Sequence, residues 1–207
     1  MDLIDIAQNI LRDCMGAKQG EEVLIVTDDS RVNIAQALYK GAVNLGCEAM
    51  MMVMKERELN GEEPPKAVAE AMKAADIVIC PTAKSLTHTN ARIRAAETGT
   101  RVATMPGITE KMFSQGAMTA DYAAVEQLTA RITGMLTASK TARIEKDGCV
   151  LTLNLDGRKG VPSPGGYRKP GQCGNLPSGE EYIAPLEDGA DGEMIIDGSM
   201  VGIGRLG

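Results

Sequence analysis

The residues of this chain best suited to chemistry gather near its end. Between Gly174 and Asp197 the segment GNLPSGEEYIAPLEDGADGEMIID carries seven carboxylates, Glu180, Glu181, Glu187, Asp188, Asp191, Glu193 and Asp197, punctuated by Gly and Pro. A carboxylate holds a divalent cation when it is ionised, fixed by stiff backbone and set beside other ligands. NLPSGEEYIAP offers such a stiff turn ahead of a strand-like stretch, whereas Glu187, Asp188 and Asp191 fall in LEDGADG, which reads as an exposed hairpin tip. Glu193 and Asp197 flank MII. From composition alone the run is a solvated acidic face, because runs of like charge usually are.

The other reactive side chains give less. His88 is the single histidine; with no second His and no carboxylate at i+4 it builds neither a zinc helix nor a triad, and a structural or capping role is expected. Ser178 lies in LPSGE, not in a GxSxG elbow. Asp28, Asp29, Ser30 and Ser85 stand at strand-to-helix junctions, VTDDSR and CPTAKSLTHT, and read as caps for helix N–H groups. Those junctions face the sheet edge where open α/β sheets bind ligands, yet no GxGxxG or GxxxxGK[ST] accompanies them. The five Cys are odd in number and never spaced CxxC, which fits reduced thiols in a cytoplasmic protein; Cys14, Cys47 and Cys80 are expected to be buried and inert.

The elements that must position these groups alternate over the first two thirds. EEVLIVTDD, CEAMMMVMK, DIVICPT and TRVATMPG read as strands; VNIAQALYKGAVNLG, PPKAVAEAMKAA, SLTHTNARIRAAETG and TADYAAVEQLTARITGMLTAS read as helices, the third capped by Ser85 or Thr87. Strands that are continuous apolar runs are buried on both faces, so the architecture expected is α/β, a parallel sheet covered by helices. Near Thr141 the texture changes. Nine of the 23 Gly precede it and fourteen follow, with five of the nine Pro, and helical periodicity stops. CVLTLNLDGRKG and EMIIDGSMVGIG read as strands and PSPGGYRKPGQCGNLP as irregular chain. The expected division is an α/β domain over 1–141 and the start of a β-rich domain over 142–207, too small in apolar content to look finished, so that the chain reads as a fragment.

Composition excludes several partners. A net charge of −6 and a pI near 5.0 disfavour nucleic acid, which demands clustered Lys and Arg. No basic n-region with an apolar stretch marks a secretory signal, and no run of about 18 apolar residues marks a membrane span. Thirteen Met with one Phe and no Trp describe a core filled by adaptable aliphatic and sulfur side chains.

The segment NLPSGEEYIAPLEDGADGEMIID, preceded in order by QGEEVLIVTDD, ADIVICPTAKSLTHTNAR, GTRVATMPGIT and LTLNLDGRKG, resembles the M29 family of metal-dependent aminopeptidases, the aminopeptidase T type. That resemblance implies two divalent ions, zinc, cobalt or manganese, a peptide substrate, a homodimer and release of N-terminal residues. Carried over by position, the Glu after NLPSG is a metal ligand, which is Glu180, while Glu181 belongs to the surface. The further ligands of the family have no counterpart here, so tight metal binding and peptidase activity are not expected of these 207 residues alone. Two alternatives stay open: a relative of the non-haem iron enzymes that open dihydroxypyridine rings with O2, and a non-enzymatic α/β binding or oligomerisation module.

Overall fold

The structure, a computed structural model, describes residues 2–200 and 202–206. It divides into two compact units, one made of residues 1–126 and 163–179, the other of 127–162 and 180–207. The division falls inside a long helix rather than at Thr141, and a later segment returns to the first unit.

The first unit opens with α1 (Leu3–Asn9), begun by a capping box in which the Asp2 carboxylate accepts from Ile4 N and Asp5 N while Asp5 accepts from Asp2 N. The helix widens into a π-helical turn at Ile10–Cys14, where Met15 N reaches Ile10 O at 3.1 Å. Four βα steps follow: β1 (Glu22–Asp28), α2 (Val32–Asn44), β2 (Glu48–Met54), α3 (Lys66–Ala74), β3 (Ile77–Thr82), α4 (Asn90–Glu97) and β4 (Arg101–Pro106), then the short α5 (Glu110–Ser114). The long helix α6 runs Tyr122–Ala138. Later in the chain β7 is Val161–Ser163 and β8 is Cys173–Asn175.

The sheet is parallel in the order β2-β1-β3-β4-β8. Alternation of side chains sorts its two faces. Val23, Ile25, Ile77, Ile79, Ala103 and Met105 meet α1, α2 and the one Phe, Phe113 of α5; Leu24, Val26, Val78, Cys80 and Val102 meet Val68 and Met72 of α3 and Ala91 and Ala95 of α4. Helices therefore cover both faces, which is why β1, β3 and β4 read as unbroken apolar runs. The α/β reading is borne out. Chain direction reverses at β1: β2 lies on one side of it and β3, β4 on the other, so the carboxyl ends of β1 and β3 flank the switch point.

The sequence marks no strand at β8. CGN is too short and too polar for a periodicity signal, yet it adds to β4 by pairing Val102 with Cys173 and Thr104 with Asn175. Its position depends on Gly174: a Cβ there would collide with the hydroxyl of buried Tyr167. At the opposite end of β4, the Arg101 guanidinium is buried, donating to Met15 O (2.9 Å) and Gly16 O (3.0 Å) and pairing with Glu21 at 2.8 Å.

The second unit is β-rich and sparsely buried. β5 (Thr141–Lys146) and β6 (Cys149–Asn154) form an antiparallel hairpin whose turn, Asp147-Gly148, has φ of 47° and 85°, the left-handed pair that two-residue hairpins favour. β10 (Ala190–Gly192) pairs with β6, β9 (Glu180–Tyr182) with β7, and β11 (Ser199–Met200) with β12 (Gly204–Arg205). The expected strand through EMII does not form: Met194, Ile195 and Ile196 are exposed and carry no strand pairing. Among the described residues of this unit, Leu155 is the one buried hydrophobic. No helix of the described residues is long and apolar enough to cross a membrane.

Candidate functional site

Polar side chains in the first unit converge at the carboxyl edge of its sheet. Asp28 ends β1 and is 1% exposed. Its Oδ1 accepts from Ser30 N at 3.1 Å and Ser30 Oγ at 2.6 Å, which caps the turn Asp29–Arg31 as the sequence suggested. Its Oδ2 accepts from Ala83 N at 2.5 Å, just past the end of β3. One carboxylate thus ties the two strand ends across the switch point, a role that local spacing gives no hint of.

A second cluster spans β4 and β8. Thr104 Oγ1 lies 2.6 Å from Asn175 Oδ1, Thr87 Oγ1 lies 2.9 Å from both Thr104 Oγ1 and Asn175 Oδ1, and Ser85 Oγ donates to Thr87 Oγ1 at 2.9 Å. Each hydroxyl has one proton to give. A consistent ordering is Ser85 to Thr87, Thr87 to Thr104, Thr104 to Asn175 Oδ1. Thr104 and Thr87 are buried. With Oδ1 turned to the threonines, the Asn175 NH2 group points away from them and has no partner among the described residues. Behind it, Tyr167 Oη donates to Asn175 O at 2.8 Å, and burial raises the Tyr167 pKa. The site is a row of fixed hydroxyls ending on an amide donor, suited to holding a ligand oxygen rather than to attacking one.

The sequence-marked residues distribute differently. Ser85 does not cap α4; its Oγ accepts from Thr87 N, and the cap is Thr89, whose Oγ1 accepts from Arg92 N. His88 is exposed in the turn before α4 and makes no hydrogen bond to a described residue. Ser178 is occupied by Ser163, Oγ to O at 2.6 Å, so no Ser–His pair exists. Glu180 is exposed on β9, its carboxylate making no hydrogen bond or ion pair among the described residues, and neighbouring Glu181 is half-buried. Glu187 is held by Arg158 and Asp197 by Lys146, each carboxyl below its ordinary pKa through that hydrogen bond. Among the described residues no group of three or more His, Cys, Asp or Glu converges to hold a metal. Cys14, Cys47 and Cys80 are buried free thiols as expected, and burial pushes Cys14 and Cys80 up to about 12.

A cavity of about 570 Å³ lies elsewhere in the first unit, bounded by the π-helical turn, the start of α6 and Arg168. Its charges are already committed, Arg12 to Asp13 at 2.8 Å and Arg168 to Glu126 at 2.5 Å, and its one thiol, Cys14, stays protonated. We therefore place the candidate site at the sheet edge, not in this cavity.

A family model described as NicX: 2,5-dihydroxypyridine 5,6-dioxygenase matches residues 2–202. The chain belongs to this dioxygenase family. Its fold is shared with 2,5-dihydroxypyridine dioxygenase from Pseudomonas putida KT2440, at TM-score 0.66 and 18% identity, over 91% of this chain and 57% of that one. Wild-type AmpT from Thermus thermophilus is similar at TM-score 0.61 and 16% identity, over 92% of this chain and 63% of that one. The chain thus spans less than two thirds of either structure. No protein of curated function matches the sequence.

The expectation of a metal-dependent aminopeptidase is corrected by the dioxygenase family match. The aminopeptidase-like signature, the order of βα units leading to NLPSGE, is a property of a fold that supports more than one chemistry, and fold alone does not select among them. The M29 resemblance survives as likeness of structure to AmpT.

Proposed function

We propose that this chain serves the oxidative opening of a dihydroxypyridine-type ring, the reaction in which both atoms of O2 enter the substrate as one ring bond breaks. The observation that carries this reading is the match of the dioxygenase family model to residues 2–202. The substrate class, a small planar heteroaromatic bearing hydroxyl groups, suits the sheet edge. There the Ser85–Thr87–Thr104 hydroxyls fix Asn175 so that its NH2 group is free to donate to a ring oxygen. A pre-ordered donor is worth more to binding than a mobile one, because less side-chain freedom is lost when the ligand arrives.

Such chemistry calls on a divalent metal, and iron(II) is the ion that activates O2 in non-haem ring-opening enzymes. Glu180 is the ligand we propose, because it is the position that the aminopeptidase resemblance marks, and its carboxylate is exposed. The residues described here do not by themselves fit a complete centre. The single imidazole, His88, cannot supply a two-histidine facial set, and no cluster of three ligands is present among the described residues. What this chain contributes on its own is orientation of the ring. A homodimer is part of the same proposal.

The reading is tested by anaerobic titration of iron(II) and then 2,5-dihydroxypyridine, following the ultraviolet band of the ring. A saturable spectral shift is expected, weakened about tenfold in Thr104→Val, which equals a loss near 1.4 kcal/mol. Glu180→Gln is expected to cut iron(II) uptake while leaving the metal-free thermal unfolding unchanged. No ring-dependent shift at any iron(II) concentration would defeat the proposal.

A further inference from the structure

The first-unit sheet has two edges, and they are unlike. β8 is a three-residue strand, Cys173–Asn175, the kind of short edge that offers little to another chain. β2 is seven residues long, Glu48–Met54, in register with β1 along its whole length on one side and, among the described residues, unpaired on the other. Its sequence, EAMMMVM, contains no Pro and no Lys, and the pairing with β1 runs without a bulge, so the usual devices that blunt an edge are missing. Its side chains are open as well: Met50 is 44% and Val53 47% exposed, and Met51 and Met52 are half-buried. An edge with unmade main-chain hydrogen bonds is completed by a strand, not by a helix or a small molecule.

We propose that β2 pairs antiparallel with β2 of a second copy of this chain, across a two-fold axis at Met51, joining the two five-stranded sheets into one. The symmetry and the sequence choose the register together. A two-fold axis perpendicular to the sheet keeps each position on its own face, so a residue can oppose only itself or a residue an even number away. With Met51 on the axis, all seven residues pair: Met50 opposes Met52, Ala49 opposes Val53 and Glu48 opposes Met54. Centring on Met52 instead would set Glu48 against Glu56, a like-charge pair, and centring on Met50 would leave part of the strand unpaired. The ends favour a copy of this same strand. The apolar run begins after Glu48, and with Met51 on the axis Glu48 opposes Met54 rather than another carboxylate, so no like charges meet along the seven paired positions. Tyr39 and Val43, one turn apart on α2, are exposed as well.

Sedimentation velocity across a concentration series tests the pairing. A two-chain species is expected, with Met50→Glu raising its dissociation constant at least about tenfold. Mixing the separate Met50→Glu and Met52→Lys chains is expected to restore association as a heterodimer, because the register sets residue 50 opposite 52. In a Cys149→Ser/Cys173→Ser background, Met51→Cys is expected to give a disulfide-linked dimer on mild oxidation, while Val53→Cys, which faces Ala49, gives far less. A chain that stays monomeric throughout overturns the proposal. So does a dimer insensitive to Met50→Glu, or a Val53→Cys chain that cross-links as readily as the Met51→Cys chain. Because Met50 and Val53 are exposed, unchanged circular dichroism separates loss of association from loss of fold.

Discussion

Replacing Asp28 by Asn is the sharpest probe of the switch point. The substitution preserves shape, so no cavity is created and the change is purely one of charge and donor pattern. In the native protein both carboxylate oxygens accept: Oδ1 from Ser30 N and Ser30 Oγ, Oδ2 from Ala83 N. An Asn can turn its carbonyl toward Ser30 or toward Ala83, never toward both. Whichever side is lost then faces an NH2 group, donor against donor, at a site 1% exposed where water cannot substitute. Losing one charge-assisted bond costs about 1.5–3 kcal/mol, and the stranded N–H adds to it, so the expected loss is about 3 kcal/mol. For a chain of this length each kcal/mol moves the melting point by about 2–4 °C, which gives a fall of about 6–12 °C. Urea titration read by circular dichroism gives the free energy, and hydrogen exchange at Ala83 gives its location: that amide is expected to lose protection more than amides in the middle of β3. A loss under about 0.5 kcal/mol, or unchanged exchange at Ala83, would refute the claim that this carboxylate ties β1 to β3.

Arg101→Met is expected to cost about 3–5 kcal/mol in the same titration, because it strands the Glu21 carboxylate and the carbonyls of Met15 and Gly16 that the guanidinium now satisfies; Arg101→Lys should recover part of the loss. Alkaline stability is expected to fall from pH 9 towards pH 12. The folded state holds Cys14 and Cys80 near 12 by burial while the unfolded chain ionises them from about 9, so their contribution is intact below pH 9 and lost as pH climbs to the folded value, at up to about 1.4 kcal/mol per pH unit for each thiol. Tyr122, raised by burial from 10.0 to about 12, adds loss over the upper part of that range. Thermal melts at stepped pH check the slope, and Cys14→Ala/Cys80→Ala should flatten its lower part. With a thiol-reactive dye at neutral pH, Cys149 and Cys173, the two half-buried thiols, should react well before the three buried ones.

Much of the first unit was legible because its signals are local. VLIV, IVIC and VATM are continuous apolar runs because helices cover both sheet faces, and the helices between them show apolar spacing of the right period. Burial of Cys14, Cys47 and Cys80 followed from the same logic. Chemistry was not legible in that way. NLPSGE and the order of βα units suggested an aminopeptidase, and the family match to a dioxygenase corrected it, since one fold carries both kinds of enzyme and the motif alone does not tell them apart.

The amino-acid sequence by itself determined the parallel α/β core, its methionine-rich packing and the acidic character of the chain, because each depends on residue type and short-range period. Only the tertiary structure decided that Asp28 bridges two strands 55 residues apart, that Cys173–Asn175 returns to extend the sheet, and that Thr87 and Thr104 converge on Asn175. These contacts join residues distant in the chain, and no local propensity encodes which distant hydroxyl or amide a side chain will meet. Sheet pairing and burial make that choice, by bringing polar groups together at a depth where each must find a partner.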